Sequence, residues 1–494
     1  MPACFGTGKE KSMKLRDVLQ GIDIISAEID LDIEIAGVEC DSRAVSKNGL
    51  FVAIRGFETD GNKYIGKACE NGASAVITDN KKYATKSRIL VSDARRALAL
   101  SAKNFYGNPT KDMKVIGVTG TNGKTTVTYL IKHCLERAGH KCGLIGTNQN
   151  MIGSEVLETE RTTPESNALW KLFARMRDAG CEYVIMEVSS HSLELSRVWG
   201  IEFFVGAFTN LTQDHLDFHK TMENYEKAKA KLFEVSRVGI INYDDDAGRR
   251  IAEKAGCKVV TYSTKNSAAS YIAKSINYAP ASVNFAFVGI DKIARVELGI
   301  PGDFSVYNAM CAISVLVECG LSLEDICKSL ADVSGVKGRA EVVPTDTDYT
   351  VMIDYAHSPD GLENILTTAK RTAKERVIVV FGCGGDRDRT KRPKMGKIAA
   401  SLADVVIVTS DNPRCEEPNA IIDDIVPGIS EVRDDFIRIA DRREAICHAL
   451  DIAESGDTVL LAGKGHETYQ EINHVKHHMD EREIVKEHLS GEKI

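Results

Sequence analysis

The residues best equipped for chemistry form one short run, Gly120-Thr-Asn-Gly-Lys-Thr-Thr126. Its glycines, Gly120 and Gly123, let backbone N–H groups turn toward an anion. A helix starting there adds the positive end of its dipole. Lys124 can reach the outer phosphates of a nucleotide, and Thr125 can offer its hydroxyl to Mg²⁺. The usual phosphate-loop spacing asks for a glycine at position 118, where this chain has Val118, so the loop is a shorter variant anchored at Gly120. The apolar run Val115–Thr119 predicts a buried strand before the loop, and the spacing over 127–137 predicts a helix after it. Strand, loop and helix together are the context this motif requires.

Other polar clusters also sit at the ends of apolar runs. Tyr183-Val-Ile-Met-Glu-Val-Ser-Ser-His191 puts Glu187 near a strand end, where a carboxylate in a phosphate-loop sheet can hold Mg²⁺ directly or through water. His191 is either a further ligand or a hydrogen-bonded structural histidine. The spacing of His215, Asp217 and His219 allows a metal site, but the same alternation fits a polar loop. Lys227, Lys229 and Lys231 read by default as the solvated face of a helix over 222–233. Toward the C-terminus four strands are predicted, at 350–354, 377–381, 404–409 and 458–462. They end in Tyr-Ala-His357, Gly382-Cys-Gly-Gly-Asp-Arg-Asp-Arg389, Ser410-Asp-Asn-Pro-Arg414 and Gly463-Lys-Gly-His-Glu467. In an open parallel sheet, ligands bind beyond the carboxyl ends of the strands, so these four loops should converge. Arg387 and Arg414 suit paired hydrogen bonds to a carboxylate, and Glu467 suits an ammonium group. A ligand with both groups is an amino acid.

Length and punctuation give the scaffold. A chain of 494 residues suggests about three domains. Turn-rich links at 106–112 and 334–340 divide it into an N-terminal domain (1–112), a central domain (113–336) and a C-terminal domain (337–494). Alternating strand and helix patterns in the last two predict an α/β class: a central phosphate-loop parallel sheet, a C-terminal Rossmann-like parallel sheet and a smaller α/β N-terminal domain. A net charge of −8 offers no basic excess for nucleic acid or anionic membrane. No apolar run approaches the ~20 residues of a membrane span, and the first twelve residues lack a signal-peptide core. Thirteen scattered cysteines without a Cys-x-x-Cys pair argue for reduced thiols, with Cys311, Cys319 and Cys327 as core filler. A cytoplasmic, monomeric protein acting on small molecules is expected.

These motifs, in this order, resemble the Mur ligases, ATP-dependent amide-forming enzymes of peptidoglycan assembly. The resemblance rests on Asp41-Ser-Arg43, Gly120 to Thr126, Thr162-Thr-Pro164, Glu187 to His191, His215 to His219, Asp354 to His357 and Asp411-Asn-Pro-Arg414, and it covers most of the chain. It implies addition of meso-diaminopimelate to the D-Glu γ-carboxylate of UDP-N-acetylmuramoyl-L-Ala-D-Glu, because the Asp-Asn-Pro-Arg form is typical of members that use that amino acid. It implies that Gly120, Thr121, Asn122, Gly123, Lys124, Thr125, Thr126, Asn308, Arg339, Asp354 and His357 contact ATP. Ser42, Phe57, Glu58 and Thr59 would hold the UDP end, and Thr162, Thr163, Ser189 and Arg197 the muramoyl dipeptide. Arg387, Asp411, Asn412, Pro413, Arg414, Gly463 and Glu467 would recognise diaminopimelate. Lys124, Glu187, His191 and Lys229 would be catalytic, with Thr125, Glu187, His191 and Lys229 arranged around Mg²⁺. For Lys229 the resemblance replaces the solvated-face reading with a CO₂-derived carbamate. Arg161 and Leu195 depart from residues found in some members. Three alternatives remain: an L-lysine- or lanthionine-adding homologue, another Mur or folylpolyglutamate-type ligase, or a nucleotide-binding switch that ligates nothing.

Overall fold

The structure, a computed structural model, describes residues 12–56, 59–83, 87–159, 161–279, 282–333 and 335–491. Phe57, Glu58 and the first eleven residues lie outside the described residues. The chain forms two compact units. The first holds the chain up to Gly117, residues 140–204 and residues 235–237. The second holds residues 118–139, residues 205–234 and the chain from Val238 on.

The first unit contains a five-stranded sheet in the order Ile24–Ala27, Arg88–Val91, Ala73–Thr78, Gly49–Ala53, Gly37–Glu39. Its first pair is antiparallel and the rest are parallel. Gly49–Ala53 is buried throughout, the pattern of a strand covered on both faces. Helix Ala94–Phe105 starts at Asp93, whose carboxylate accepts from the N–H groups of Arg95 and Arg96. It packs its alanine and leucine face against helix Ser166–Asp178, which buries Trp170 and Phe173. Strand Tyr183–Glu187 pairs in parallel with Cys142–Ile145, so Glu187 sits at the carboxyl end of a wholly buried strand.

In the second unit, helix Lys124–Arg137 begins after Gly123 and packs on helix Asp303–Glu318. That helix is buried nearly all round, as its almost continuous apolar sequence requires. A six-stranded sheet follows in the order Glu341–Val343, Thr350–Asp354, Thr458–Ala462, Val377–Phe381, Val405–Val408, Ile437–Arg438. All its pairs are parallel except the first. The register places Asp354, Ala462, Phe381 and Val408 on one row. The four loops predicted to converge therefore leave the sheet side by side. Cys311 is a core residue, whereas Cys319 and Cys327 are only half-buried. Among the described residues no helix is long and apolar enough to cross a membrane.

Candidate functional site

In the second unit the loop after Thr119 is shaped by two left-handed glycines, Gly120 at φ 145° and Gly123 at φ 86°. A Cβ at Gly120 would overlap Thr209 Oγ1, and one at Gly123 would overlap Asn308 Oδ1, so glycine is required by both conformation and space. The loop is tied down on all sides. Thr121 N donates to Asn210 O at 2.9 Å and Asn122 N to Asn210 Oδ1 at 2.9 Å. Thr209 Oγ1 donates to Asn122 O at 2.6 Å. Asn122 Nδ2 donates to Asp360 Oδ2 at 2.6 Å, which links the loop to the helix that follows His357. Lys124 Nζ folds back on the carbonyls of Gly120 and Thr121 at 3.0 and 2.7 Å. Thr125 and Thr126 are buried.

Lys229 reaches the same loop, donating to Gly120 O at 2.7 Å with only 1% of its surface exposed. Burial and the like charge of Lys124 pull its pKa well below the usual lysine range, against the opposing carboxylate of Asp214. The neutral amine is thereby favoured. Lys227 instead pairs with Glu223 on the exposed face of the helix, and Lys231 is half-buried. His219 is buried and stacks on Tyr225 at 4.9 Å while Asp217 is exposed, so the spacing that allowed a metal site puts these two side chains in different surroundings. Among the described residues no three His, Cys, Asp or Glu side chains form a group that could hold a metal ion by themselves.

Arg339 connects this loop to the C-terminal sheet. Its Nη2 donates to Thr125 Oγ1 at 3.1 Å and its guanidinium lies 4.6 Å from the centre of the Tyr355 ring. Asp354 accepts from Ala340 N at 2.7 Å, and desolvation raises its pKa despite Arg339. His357 hydrogen-bonds Tyr355 O through Nδ1 at 2.8 Å; burial and Lys391 lower its pKa. Tyr355 also meets His466, with ring centres 5.0 Å apart. Contacts thus run unbroken from Thr125 through Arg339 and Tyr355 to the Gly463–Glu467 loop.

At the far end of that path, Asn412 ties its own loop to the Gly463–Glu467 loop and to the strand Tyr469–Ile472. Its Oδ1 accepts from Lys464 Nζ at 2.8 Å and from Glu471 N at 2.9 Å, and its Nδ2 donates to Glu467 Oε2 at 2.9 Å. Lys464 also pairs with Glu467 at 2.6 Å. Burial raises the Glu467 pKa, with Lys464 opposing. Gly463 is left-handed at φ 120°, and a Cβ there would stand 2.5 Å from Asp411 Oδ2, a buried oxygen that has no hydrogen-bond partner among the described residues. Pro413 is buried, its carbonyl in the space a Cβ on Gly385 would fill. Arg414 donates from Nε to Glu471 Oε2 at 3.1 Å and from Nη1 to Gly385 O at 2.8 Å. Arg387 is exposed, its Nη1 donating to Asp386 O at 3.3 Å.

The first unit gathers a separate cluster. Both oxygens of Glu187, itself 1% exposed, accept from Thr147: from its N–H and its hydroxyl, each at 2.9 Å. Thr147 Oγ1 also reaches Thr162 Oγ1 at 3.0 Å. Thr163 Oγ1 donates to Glu187 O at 2.8 Å and accepts from Ser189 N at 3.1 Å. Ser189 caps the short helix that carries the half-buried His191. Arg197 donates to Glu165 Oε2 at 3.2 Å and to Thr163 O at 3.2 Å. Arg95 reaches the other Glu165 oxygen at 3.4 Å, the Leu195 carbonyl at 3.5 Å and the Arg55 carbonyl at 2.7 Å. Leu195 therefore enters this cluster through its backbone, and Arg161 approaches Glu165 at 3.7 Å from an exposed position. Ser42 is buried, its carbonyl accepting from Asn71 Nδ2 at 2.8 Å. Thr59 is exposed, 3.4 Å from the Tyr64 hydroxyl.

Sequence reasoning missed Thr147, Glu165 and Arg95 here, and Asp214, Asp360, Lys464 and Glu471 in the second unit. Lys464 lies within a recognised loop, and Glu165 and Asp214 each adjoin a recognised motif. Thr147, Arg95, Asp360 and Glu471 gave no such signal, because the partners that define them are remote in the chain.

Three family models match in succession: the Mur ligase family catalytic domain over residues 34–106, the Mur ligase middle domain over 118–316, and the Mur ligase glutamate ligase domain over 338–465. A relative from Clostridium tetani, a UDP-N-acetylmuramoyl-L-alanyl-D-glutamate--2,6-diaminopimelate ligase, is 48% identical over 96% of this chain and 99% of its own. One of the same description from Caldanaerobacter subterraneus is 48% identical over 97% and 99%. A solved structure of a ligase of that description superposes with a TM-score of 0.70 at 33% identity, covering 97% of this chain and 99% of the other. The MurF ligase of Thermotoga maritima shares the fold at a TM-score of 0.61 and 18% identity, covering 92% and 96%.

Proposed function

The chain belongs to the Mur ligase family, and from that premise we propose that it is the ATP-dependent ligase that joins meso-diaminopimelate to the D-Glu γ-carboxylate of UDP-N-acetylmuramoyl-L-Ala-D-Glu. The observation that carries the reading of an amino-acid receptor is the pairing at the Asp411–Arg414 loop. Arg414 is held by its Nε and by one Nη1 hydrogen, and among the described residues Nη2 has no protein acceptor. Asp411 Oδ2 is a buried carboxylate oxygen without a hydrogen-bond partner among the described residues. An open guanidinium edge and an open carboxylate oxygen in one loop complement the carboxylate and ammonium of an amino-acid end. Arg387, Asn412, Gly463 and Glu467 complete that receptor. The names of the close relatives agree with it.

A carboxylate resists an amine because it would have to expel oxide. In this reading the γ-carboxylate attacks the γ-phosphorus of ATP, ADP leaves, and an acyl phosphate forms. The diaminopimelate amine, having given up its proton, then attacks the acyl carbon. Phosphate leaves, the nitrogen sheds a second proton, and an amide remains. The backbone N–H groups of the 120–126 loop cradle the phosphates, and Lys124 swings from its resting carbonyls to the transferring group. Asn308, Arg339, Asp354 and His357 border the nucleotide. Arg339 touches both Thr125 and Tyr355, so it can couple nucleotide binding to the amino-acid loops. In the first unit Arg197, Thr162, Thr163 and Ser189 orient the dipeptide, with Ser42 and Thr59 toward the UDP end.

The donor types of each unit suit Mg²⁺ taken by themselves: in the second unit Thr125 offers a hydroxyl, and in the first Glu187 offers a carboxylate, hard oxygens of the kind it prefers, with His191 as a further ligand. Lys229 suits a carbamate, since its amine is buried, biased toward the neutral nucleophilic form and adjacent to cationic Lys124. The carbamate would supply a carboxylate-like oxygen there. When bound, Mg²⁺ would neutralise charge on the phosphoryl group in flight. The division into domains at 1–112, 113–336 and 337–494 is part of the same reading, supported by three successive family matches.

ADP formation should be measured with the UDP-linked dipeptide and meso-diaminopimelate, L-lysine, lanthionine or no amino acid. Turnover that requires both the dipeptide and diaminopimelate is expected. Preference for lysine or lanthionine would overturn the choice of amino acid. ATP hydrolysis indifferent to both substrates would overturn the ligase reading.

A further inference from the structure

Resting on the reading of Arg414 as the carboxylate receptor, we propose that Glu471 is a positioning residue that holds the Arg414 guanidinium ready for the incoming amino acid. Glu471 lies outside the strand-end loops, on the hairpin Tyr469–Ile472/Val475–His478. That hairpin is sewn to the receptor loop through the backbone. Arg414 N donates to Glu471 O at 3.0 Å, and Asn473 N donates to Arg414 O at 2.9 Å. Glu471 N donates to the Asn412 side chain at 2.9 Å. Arg414 itself is left-handed at φ 52°, a conformation a non-glycine residue adopts only when its surroundings impose it.

The side-chain contact is directional. Glu471 Oε2 takes Nε–H, on the edge of the guanidinium nearest the chain, and Gly385 O takes one hydrogen of Nη1. Among the described residues, Nη2 and one Nη1 hydrogen are left without a protein acceptor, donors of the kind that grip a carboxylate. The Arg414 and Glu471 side chains are 19% and 24% exposed. Both are partly accessible to solvent, which screens the pair, and its consequence lies in orientation. An arginine left to rotate must be immobilised by the ligand, which weakens binding by about 3- to 10-fold. The negative charge of Glu471 works the other way, since it faces the site of an anionic group. Orientation needs an oxygen that accepts from Nε, not a charge.

The test is the steady-state kinetics of full-length Glu471→Ala, Glu471→Gln and Arg414→Ala, varying meso-diaminopimelate, ATP and UDP-linked dipeptide in turn. The expected result is a KM for diaminopimelate about 3- to 10-fold higher in Glu471→Ala. Its kcat and the other two KM values should stay within about twofold of the parent. Glu471→Gln keeps the acceptor oxygen and should restore the parent KM or lower it. No rise in Glu471→Ala would overturn the proposal. Equal rises in the Ala and Gln variants would also overturn it, by showing that the charge matters instead. A parallel rise in the KM for ATP would overturn it by showing general damage to the hairpin. If Arg414→Ala leaves the diaminopimelate KM unchanged, the receptor reading itself fails. If Arg414→Ala raises it while Glu471→Ala does not, only this inference fails.

Discussion

Replacing Arg414 by alanine should separate amino-acid recognition from nucleotide recognition. Removing one partner of a desolvated charge pair costs about 2–5 kcal/mol. The Arg414 side chain is 19% exposed, so the lower part of that range applies, about 2–3 kcal/mol. At 1.36 kcal/mol per decade this is roughly 30- to 150-fold in kcat/KM for meso-diaminopimelate. The fold should tolerate the change. Alanine and arginine carry the same Cβ, so the left-handed backbone at φ 52° is no more strained than before. Glu471 loses its cation but is 24% exposed and can be hydrated, so stability should fall by no more than about 1 kcal/mol. The assay is ADP release with ATP and UDP-linked dipeptide saturating and diaminopimelate varied, followed by the converse titration of ATP. Arg414→Lys should fall between parent and alanine, because lysine keeps the charge but cannot offer the two-pronged edge. An equal loss against ATP, or no loss against diaminopimelate, would refute the reasoning.

Lys229→Met should change how stability depends on pH. In CO₂-free buffer the unfolded chain holds the Lys229 proton up to about pH 10.4, while the folded chain releases it well below that. Stability therefore rises with pH between those two values, by up to about 1.4 kcal/mol per pH unit. The methionine variant should lose that component when urea midpoints at pH 7 and 9 are compared, and an unchanged slope would exclude a depressed Lys229. Asp360→Ala removes the acceptor of Asn122 Nδ2 and should raise the KM for ATP by roughly 3- to 10-fold, the worth of one hydrogen bond. Asp360→Asn keeps an acceptor oxygen and should do much less; identical KM values across all three proteins would sink the tether. Arg442 and Glu481 form an ion pair with both side chains 0% exposed, and Arg442 also donates to the carbonyls of Ser410 and Ala462. Arg442→Met should cost about 3–5 kcal/mol because it strands a buried carboxylate. Adding Glu481→Leu should recover part of that in thermal unfolding, and a double variant that melts no higher than the single would contradict the argument.

Much of the site could be read along the chain because local rules dictate it. The 120–126 loop is legible because its backbone must be left-handed at Gly120 and Gly123, and only glycine accepts that without strain. The four strand-end loops are legible because parallel strands in register bring their carboxyl ends into one row whatever the intervening helices are. The clamps around them were not legible, since their partners are far apart in sequence. Arg95 and Glu165 are 70 residues apart, Arg339 and Thr125 are 214, and Asn122 and Asp360 are 238. No periodicity or spacing carries such a pairing. Lys229 marks the boundary between the two kinds of knowledge. At about 100° per residue, Lys227 and Lys229 must face opposite sides of their helix, and the sequence alone determines that. Which side is inside depends on what the helix packs against. The tertiary structure turned Lys229 onto the Gly120 carbonyl at 1% exposure and left the Lys227 side chain 68% exposed in solvent. Desolvation then made two chemically identical side chains into different groups, one an ordinary surface cation and the other an amine biased toward its neutral form.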